Sequence, residues 1–357
     1  MSTIKTTLVP EIKILIKERP LPIEAELAVL SLRVLQDLEA PAMFELKLNS
    51  WDTLKSEITW LDDELLEIGN TVEVQIGYRN NKNSKDNLKK ILIGEITGLE
   101  PEFSEESSPS AIARGYDLLH RLVRGRKTRS FTNMKDSSIA SQIAREHNLG
   151  DRVKDSNVKL DYVLQANQTD LEFLLKRARL IGYELFVEGK DLYFQPPQNN
   201  ETEVLTLEWG QGIIEFYFNL STMSQVDMVE VYSWNPQQKK ALIGKANQTE
   251  KMQGSKSGPD KTKKAFGKST YSIVKEPVYT QEEADKVAKG QFNDMALDYI
   301  TGEGTCVGHP ELRAGKTIEI KGVGKRFSGL YYVTYANHLY SEESGYCTEI
   351  SVRRNAT

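Results

Sequence analysis

Thr280-Gln-Glu-Glu283 opens the stretch that decides the fold, residues 280–355, and it has the residue types that start a helix. Short apolar runs follow, divided by the glycine pairs Gly302-Glu-Gly304 and Gly322-Val-Gly324, up to Thr348-Glu-Ile-Ser-Val-Arg-Arg-Asn355. Glycines between such runs are typical of turns between strands. The stretch therefore predicts one helix followed by short strands, and it contains no cluster of catalytic side chains.

Length and composition limit the class of protein. A chain of 357 residues exceeds one ordinary hydrophobic core, which predicts two or three domains. Its net charge of −5 argues against general nucleic-acid binding, because proteins of that class are usually basic. No apolar run approaches the roughly 20 residues of a membrane-spanning helix, and Met1 to Thr7 lack the apolar core of a signal peptide. We therefore expect synthesis and assembly in the cytoplasm, without direct membrane insertion.

Residues 1–122 are predicted to form a first β-barrel domain. Apolar and polar residues alternate in several runs, namely Ile12 to Ile16, Phe44 to Leu48, Val72 to Tyr78, Ile91 to Ile96 and Ala111 to Tyr116. A period of two with one polar face is typical of antiparallel strands in small barrels or sandwiches. The polar segments 80–86 and 104–109 are predicted to be exposed loops between these strands.

Residues 123–200 are predicted to form a small inserted α/β domain. Asp136-Ser-Ser138 precedes a helical apolar pattern and is predicted to cap a helix that ends at Gly150. Thr169-Asp-Leu-Glu172 has the pattern of a capping box, in which Thr and Glu satisfy backbone N–H groups at the helix start. Gly182 is predicted to end this second helix, and a β-hairpin is predicted to follow it.

A second β-barrel domain is predicted from residues 201–236 and 271–357, separated by the lysine-rich segment 237–270. That segment has few apolar residues, so a flexible, solvated loop is favoured. A loop that orders when it docks on nucleic acid or an acidic partner stays open as the alternative. Phe266 is its only aromatic residue, so it offers no platform for stacking bases.

The sequence predicts no catalytic residue, no cofactor site and no metal site. The histidines are widely scattered at positions 120, 147, 309 and 338, and none has metal-binding spacing. His147 is expected to interact with the C-terminal dipole of its helix. Cys306 and Cys347 lie in predicted strands and are expected to be buried free thiols, too few for a four-cysteine zinc site.

Three other features have ordinary structural explanations. The glycines of 302–308 are not followed by the Gly-Lys-Ser/Thr of a phosphate-binding loop, so they are expected in turns. The adjacent acids Asp62-Asp-Glu64 and Glu105-Glu106 are expected at solvated edges, because glycosidase carboxylates lie on separate strands across a cleft. The four tryptophans, Trp51, Trp60, Trp209 and Trp234, are expected to pack in cores or interfaces rather than to stack on a ligand.

The order and spacing of several segments resemble the phage late control D family, the baseplate hub proteins of contractile phage tails and related injection systems, which include the VgrG proteins of type VI secretion. The segments that carry the resemblance are residues 115–122, Phe131, Ser137 to Ala144, Gln165 to Leu175, Gly182, Leu192-Tyr-Phe194 and the closing stretch from Thr280.

The resemblance implies an α+β fold that is mainly β, with two tube-forming β-barrel domains and an inserted small α/β domain. It implies a homotrimer that contacts the inner tube protein, a spike protein and other baseplate proteins, with no nucleic-acid binding of its own. The chain ends soon after Arg353-Arg354, so the spike is expected to be a separate protein. The family has no defined catalytic residues, which implies a structural protein and not an enzyme.

Two other functions stay open at this point. A tail-associated peptidoglycan hydrolase would require a pair of cleft carboxylates or a zinc site, and the sequence shows neither. A cell-wall-binding module is the second, because the helices and hairpin of the insertion resemble those of a LysM unit. Binding to isolated cell wall would distinguish it from a hub.

Overall fold

A computed structural model describes residues 9–79, 88–199, 202–235, 238–274 and 278–357. The loop predicted at 80–86 therefore lies outside the described residues. The strands are β1 Val9–Ile16, β2 Arg19–Pro20, β3 Val29–Asp37, β4 Ala40–Asn49, β5 Trp51–Asp52, β6 Glu57–Ile58, β7 Thr71–Arg79, β8 Lys89–Glu102, β9 Ser110–Asp117, β10 Lys127–Lys135, β11 Gly150–Val153, β12 Lys159–Gln168, β13 Glu184–Glu188, β14 Asp191–Gln195, β15 Thr206–Trp209, β16 Gly212–Leu220, β17 Met228–Asn235, β18 Lys240–Ala246, β19 Thr270–Ile273, β20 Ile300–Val307, β21 Thr317–Lys321, β22 Gly329–Ser341 and β23 Gly345–Arg354. The α-helices are α1 Ile23–Leu27, α2 Asp136–Glu146, α3 Asp170–Leu180, α4 Gly258–Phe266 and α5 Gln281–Leu297.

One continuous sheet carries two β units. The first unit contains β1–β4 and β7–β9, and the second contains β15, β16 and β20–β23. Its order is β2-β1-β7-β8-β9-β4-β3-β22-β21-β15-β16-β20-β23, and β22 also pairs with β23. That extra pairing closes the strands from β22 to β23 into a barrel around a core that includes Ile318, Val333 and Ile350. The mainly β fold expected from the sequence is confirmed.

The first β unit joins this barrel directly through the pairing of β3 with β22. The pairing is antiparallel and runs from Tyr335 opposite Asp37 to Ser341 opposite Ser31. The core of the first unit, around Phe44, Leu46 and Val74, includes Tyr346 from the second unit. The two units are therefore coupled by backbone hydrogen bonds and by a shared core.

Pro10 protects the outer edge of the first unit, where, among the described residues, β1 pairs with β7 along its length and with the two-residue β2 at its end. The carbonyl of Ile14 faces away from β7, because it accepts a hydrogen bond from the Leu21 N–H at 3.1 Å. Alternation along the strand places the backbone nitrogen of Pro10 on that same side, where proline has no N–H to donate. Proline and short exposed edges disfavour pairing with another chain.

The insertion has a core of its own, built from α2, α3 and two small sheets. Ile139 and Leu174 are fully buried in it. The predicted capping box is confirmed, because Thr169 Oγ1 accepts from Glu172 N at 3.1 Å and Glu172 Oε2 accepts from Thr169 N at 3.1 Å. Gly182, at a φ of 66°, follows the end of α3 as predicted.

The predicted cap and stop of the first helix in the insertion are wrong. α2 begins at Asp136 itself, and the residue before it makes no capping hydrogen bond through its side chain. The Asp136 carboxylate instead accepts two hydrogen bonds from Arg177 of α3, at 2.6 and 3.0 Å. Asn148, at a φ of 55°, takes the left-handed position after the helix, and Gly150 already starts β11. Asparagine tolerates this conformation because its side chain can bond locally.

The prediction of a flexible loop at 237–270 is wrong for about half of the segment, which forms β18 and α4. β18 adds to the three-stranded sheet β18-β17-β19, where Leu242 is buried and Gly244 lies against the backbone of α5. α4 begins with a capping box in which Ser257 and Asp260 bond each other's backbone N–H groups. The segment is ordered although it has few buried apolar side chains, because the close contact of Gly244 with α5 and the capping hydrogen bonds of α4 also hold it in place. The domain limits proposed from the sequence remain a prediction.

The end of the chain holds the middle of this segment in place. Asn355 Oδ1 accepts from Met252 N at 2.9 Å, and Asn355 Nδ2 donates to Glu250 O at 2.8 Å. Thr357 O accepts from Ser255 N at 3.1 Å. Met252, Ser257 and Asn355 are all buried. These hydrogen bonds make residues 250–258 part of the folded unit.

Limited proteolysis is expected to be slower where the segment is hydrogen-bonded to the end of the chain. Trypsin should cut the native chain first after Lys264 or Lys268, which are exposed at and beyond the end of α4. Cutting after Lys256 should be slower, because the flanking backbone is bonded to Thr357. Mass spectrometry of early fragments checks the order. Equally fast cutting after Lys256 would show that the segment is not held by the chain end.

Candidate functional site

A row of polar side chains crosses the face of the shared sheet that is opposite the core, and it spans both β units. Arg33 Nε donates to Asn337 Oδ1 at 3.0 Å, and Asn337 Nδ2 donates to Glu349 Oε2 at 2.8 Å. Glu45 lies opposite Arg33 in the sheet and accepts from Arg114 Nε at 2.9 Å. We call this row the polar ladder; it consists of Glu349, Asn337, Arg33, Glu45, Arg114 and Glu100. Exposed ion pairs stabilise little, so the main effect of the ladder is a hydrophilic surface close to neutral charge.

An apolar surface is exposed on the three-stranded sheet β18-β17-β19. Val229 and Val231 of β17 are buried against α5. The alternating residues Tyr232 and Trp234 point to the other side and are 38% and 58% exposed. Ile243 of β18 lies opposite Tyr232 and is 38% exposed. These three residues, here called the aromatic face, are a contiguous apolar surface of the kind that marks an interaction site.

A buried carboxylate organises the insertion. Asp170 is 2% exposed and accepts hydrogen bonds from Lys127 Nζ at 2.6 Å, Arg129 Nη2 at 2.9 Å, His147 Nε2 at 2.8 Å and Gln165 Nε2 at 2.9 Å. Burial raises the pKa of Asp170, but the hydrogen bonds outweigh it and hold the pKa at about 2. The carboxylate is therefore ionised and fully partnered, as a structural anchor between α2, α3 and β10.

Two other buried carboxylates lie near the places where the insertion meets the β units. Glu184, at the start of β13, accepts from the hydroxyl of Tyr332 in β22 at 2.6 Å. Asp117, at the end of β9, accepts from Ala42 N at 3.1 Å and from Leu119 N at 3.0 Å. Burial raises the pKa of each of these two carboxyl groups to about 7. The hydrogen bonds to these two carboxyl groups lower their pKa, but by less than burial raises it.

A cleft of about 1190 Å³ separates the insertion from α5 and from the face of β22 and β23. One close contact joins its two walls: a Cβ added to Gly290 of α5 would lie 2.6 Å from the backbone nitrogen of Gly182. Glycine at both positions is required by this approach of two backbones. The cleft is thus a fixed feature of the junction between the insertion and the second β unit.

The prediction that the glycines of 302–308 lie in turns is wrong for Gly302 and Gly304. Both lie inside β20, and a Cβ on either would be within 2.7 Å of the ring of Phe216. Their role is to leave room for aromatic rings in the barrel core. The turn prediction is confirmed at Gly322 and Gly324, which have φ of 79° and 81° between β21 and β22.

The fold resembles solved tail proteins along nearly its whole length. A 43 kDa tail protein of prophage MuSo2 from Shewanella oneidensis has a TM-score of 0.70 and 16% identity, over 97% of this chain and 98% of that one. A tail protein from Neisseria meningitidis MC58 has a TM-score of 0.69 and 14% identity, over 97% of each chain. The E. coli c3393 protein, described as a component of the type VI secretion system, has a TM-score of 0.61 and 12% identity, over 97% of this chain and 77% of that one. At such identities the likeness shows the fold alone.

Sequence comparison with family models gives a match over most of the chain. A model described as the Alg8 N-terminal domain matches residues 7–342. The chain belongs to this family. No curated protein sequence matches it. Membership of the late control D family stays a prediction, while the structural neighbours include tail proteins and VgrG complexes.

The histidines of this member of the Alg8 N-terminal domain family are separately placed. His147 follows α2, as predicted, but its ring bonds to Asp170. His120 bonds to Glu95 at 2.9 Å, and His309 Nδ1 accepts from a backbone N–H. Burial lowers the pKa of His338 to about 3, and its Nδ1 lies 2.7 Å from a tyrosine hydroxyl. His309 is close enough to His338 to contribute to its lowered pKa, but among the described residues neither ring belongs to a group of three potential metal ligands.

The two cysteines and the adjacent acids are placed as follows. Both cysteines are free thiols; Cys306 is buried as expected, whereas Cys347 is only half-buried. The acids Asp62, Asp63 and Glu64 are exposed, as are Glu105 and Glu106.

The four tryptophans differ in burial. Trp60 packs against the core of the first β unit, and Trp51 is half-buried. Trp209 and Trp234 are exposed, which leaves interface packing as the prediction for them.

The described residues show neither a cluster of metal ligands nor a membrane-spanning helix. No group of three or more potential metal ligands occurs among those residues. No helix within the described ranges has both the length and the apolar composition needed to cross a membrane.

Glu184 is expected to contribute a fall in stability as pH rises from about 4.5 to about 7, because a carboxyl whose pKa is raised on folding binds its proton more tightly in the folded chain. The lowered pKa of His338 acts in the opposite direction over the same window. Glu184→Gln should therefore shift the slope of stability against pH toward more positive values, measured by urea unfolding at several pH values. Glu303→Gln, at an exposed position in the same cleft, is the matched control and should keep the slope. An unchanged slope in Glu184→Gln would contradict a buried, proton-binding Glu184.

Proposed function

We propose that this chain is a structural hub in the baseplate of a phage tail or contractile injection system. In this proposal three copies form a ring that joins a sixfold inner tube to a threefold spike. The partners would be the tube protein, a spike protein and other baseplate proteins, and assembly would take place in the cytoplasm. The chain would act by positioning other proteins and not as an enzyme.

The observation that carries the proposal is the likeness in fold to tail proteins over 97% of the chain and at least 97% of two such proteins. The comparison spans both β units and the insertion together, so it concerns the complete arrangement. Two β units in one chain also suit a connector, since three chains would offer six similar units to a sixfold tube.

The site chemistry supports a structural role. The buried carboxylates are each bonded inside the fold: Asp170 to cations, Asp117 to backbone N–H groups and Glu184 to a tyrosine hydroxyl. Hydrogen bonds of this kind are those expected of buried polar groups that stabilise a fold. Reproducible turnover of peptidoglycan, lost on substitution of one acid, would favour the hydrolase instead.

Assembly is expected to depend on the aromatic face. Replacing Trp234 and Ile243 together with Ser should abolish assembly with partner chains, because exposed apolar anchors dominate association. The melting temperature should change little, since both side chains are on the solvent side of the sheet. Sedimentation with and without the tube and spike proteins measures assembly, and circular dichroism measures folding.

The matched control is the pair Tyr162→Ser and Leu164→Ser. These residues are 50% and 48% exposed on β12 of the insertion, so the apolar area lost is similar. The control variant should assemble normally. Equal losses in both variants would show that assembly responds to general surface polarity, and normal assembly of the Trp234 variant would remove the aromatic face from the proposal.

A further inference from the structure

The cleft between the insertion and the second β unit is large enough for an extended chain segment. At about 1190 Å³ it exceeds most small-molecule sites, which measure about 300–1,000 Å³. Its walls are α5, the end of α3 with Tyr183, and the strands β22 and β23. The contact of Gly182 with Gly290 holds two of these walls together. The cleft is therefore preformed.

The charge of the cleft is negative. Seven acidic side chains line it, against four cationic side chains. Two of the cations pair with two of these acids, because Arg353 bonds Asp294 at 2.9 Å and Arg179 lies 3.1 Å from Glu39. Of the remaining acids, Glu184 is buried with a pKa raised to about 7, which leaves four acids against two lysines. Between low-dielectric walls such an excess of one charge attracts the opposite charge.

The lining also offers apolar surface. Tyr335 and Pro197 line the same cleft as its acidic side chains. A segment that carries both cationic and apolar side chains would match both features.

We propose that this cleft binds an extended, lysine- or arginine-rich peptide segment of a neighbouring protein. The cationic side chains would face Glu303 and Asp285, both of which are exposed. Apolar side chains of the segment would cover Tyr335. This site goes beyond the proposed hub function, because it requires only one chain and no ring.

Fluorescence anisotropy with two labelled synthetic peptides tests the site on the full-length chain. One 12-residue peptide contains Lys, Leu and Ala, and the other has Glu in place of every Lys. The cationic peptide is expected to bind, with an affinity that falls as salt is raised, and the acidic one is not. Protection of α5 and of residues 178–185 from hydrogen exchange should accompany binding. No binding of the cationic peptide, or equal binding of the two, would overturn the proposal.

Matched charge reversals locate the binding. Asp285→Lys with Glu303→Lys should weaken binding of the cationic peptide at least about tenfold. Glu105→Lys with Glu106→Lys makes the same change in net charge on a distant exposed loop of the first unit and should leave binding almost unchanged. Equal weakening in both would show unspecific attraction and overturn the proposal. Thermal melts establish that each variant is folded, and Tyr335→Ser gives a second, uncharged test, which should also weaken binding.

Discussion

Replacing Leu174 with Asp is expected to unfold the insertion, at a cost of about 4 kcal/mol. Leu174 is fully buried in the core of α2, α3 and the small sheets. The new carboxylate would replace apolar packing and would be buried beside Ile139 and Phe194, which offer it no donor. Urea unfolding followed by circular dichroism gives the free-energy change. Hydrogen exchange should show the loss confined mainly to residues 118–195.

The matched change on the same helix is Thr169→Ala. It removes the hydrogen bond that Thr169 Oγ1 accepts from Glu172 N but leaves the core intact. Loss of such a cap costs about 1 kcal/mol. Small and equal effects of the two substitutions would mean that the apolar face of α3 is not the core of the insertion.

Adding one methyl group at Gly304 is expected to destabilise the second barrel by about 2 kcal/mol. A Cβ there would lie 2.3 Å from Cδ2 of Phe216 and 2.5 Å from the carbonyl oxygen of Glu215. Neither the strand backbone nor the packed ring can move away without breaking other contacts. The change in unfolding free energy of Gly304→Ala measures the effect.

Gly98→Ala is the control for that substitution. Gly98 lies in β8 of the first unit, and a Cβ there would meet nothing within 4 Å. Its effect should stay within about 0.5 kcal/mol. If both glycine variants are equally stable, Phe216 is not packed over Gly304 as the structure shows.

Most strands with regular alternation of apolar and polar residues were predictable, whereas β3 was missed. The runs around Ile14, Phe44 and Val74 alternate without interruption, and each is a strand. β3 was not predicted, because its register shifts twice against β4, between Val29 and Ser31 and between Leu35 and Asp37. Each shift moves the apolar residues off a strict period of two.

The joining of the two β units could not be read from local patterns. β3 and β22 pair across about 300 residues of sequence, and only tertiary structure brings them together. The glycines of β20 show the same limit. Gly302 and Gly304 look like turn residues until Phe216 is placed over them.

The candidate surfaces were predictable only in part. The alternation Tyr232-Ser-Trp234 reveals two faces of a strand, but it does not show which face α5 covers. The cleft depends on the approach of Gly182 to Gly290, two residues that are distant in sequence. Charge in the segment 237–270 favoured a loop, whereas its capping residues Ser257 and Asp260 were the signal for α4.

The central proposal is most directly tested by electron cryomicroscopy of particles that contain the full-length chain, reconstructed without imposed symmetry. A hub should appear as a ring of three chains, with six similar β units at the tube end and threefold density at the spike end. A ring of six equivalent chains, or a stable dimer, would contradict the proposed function.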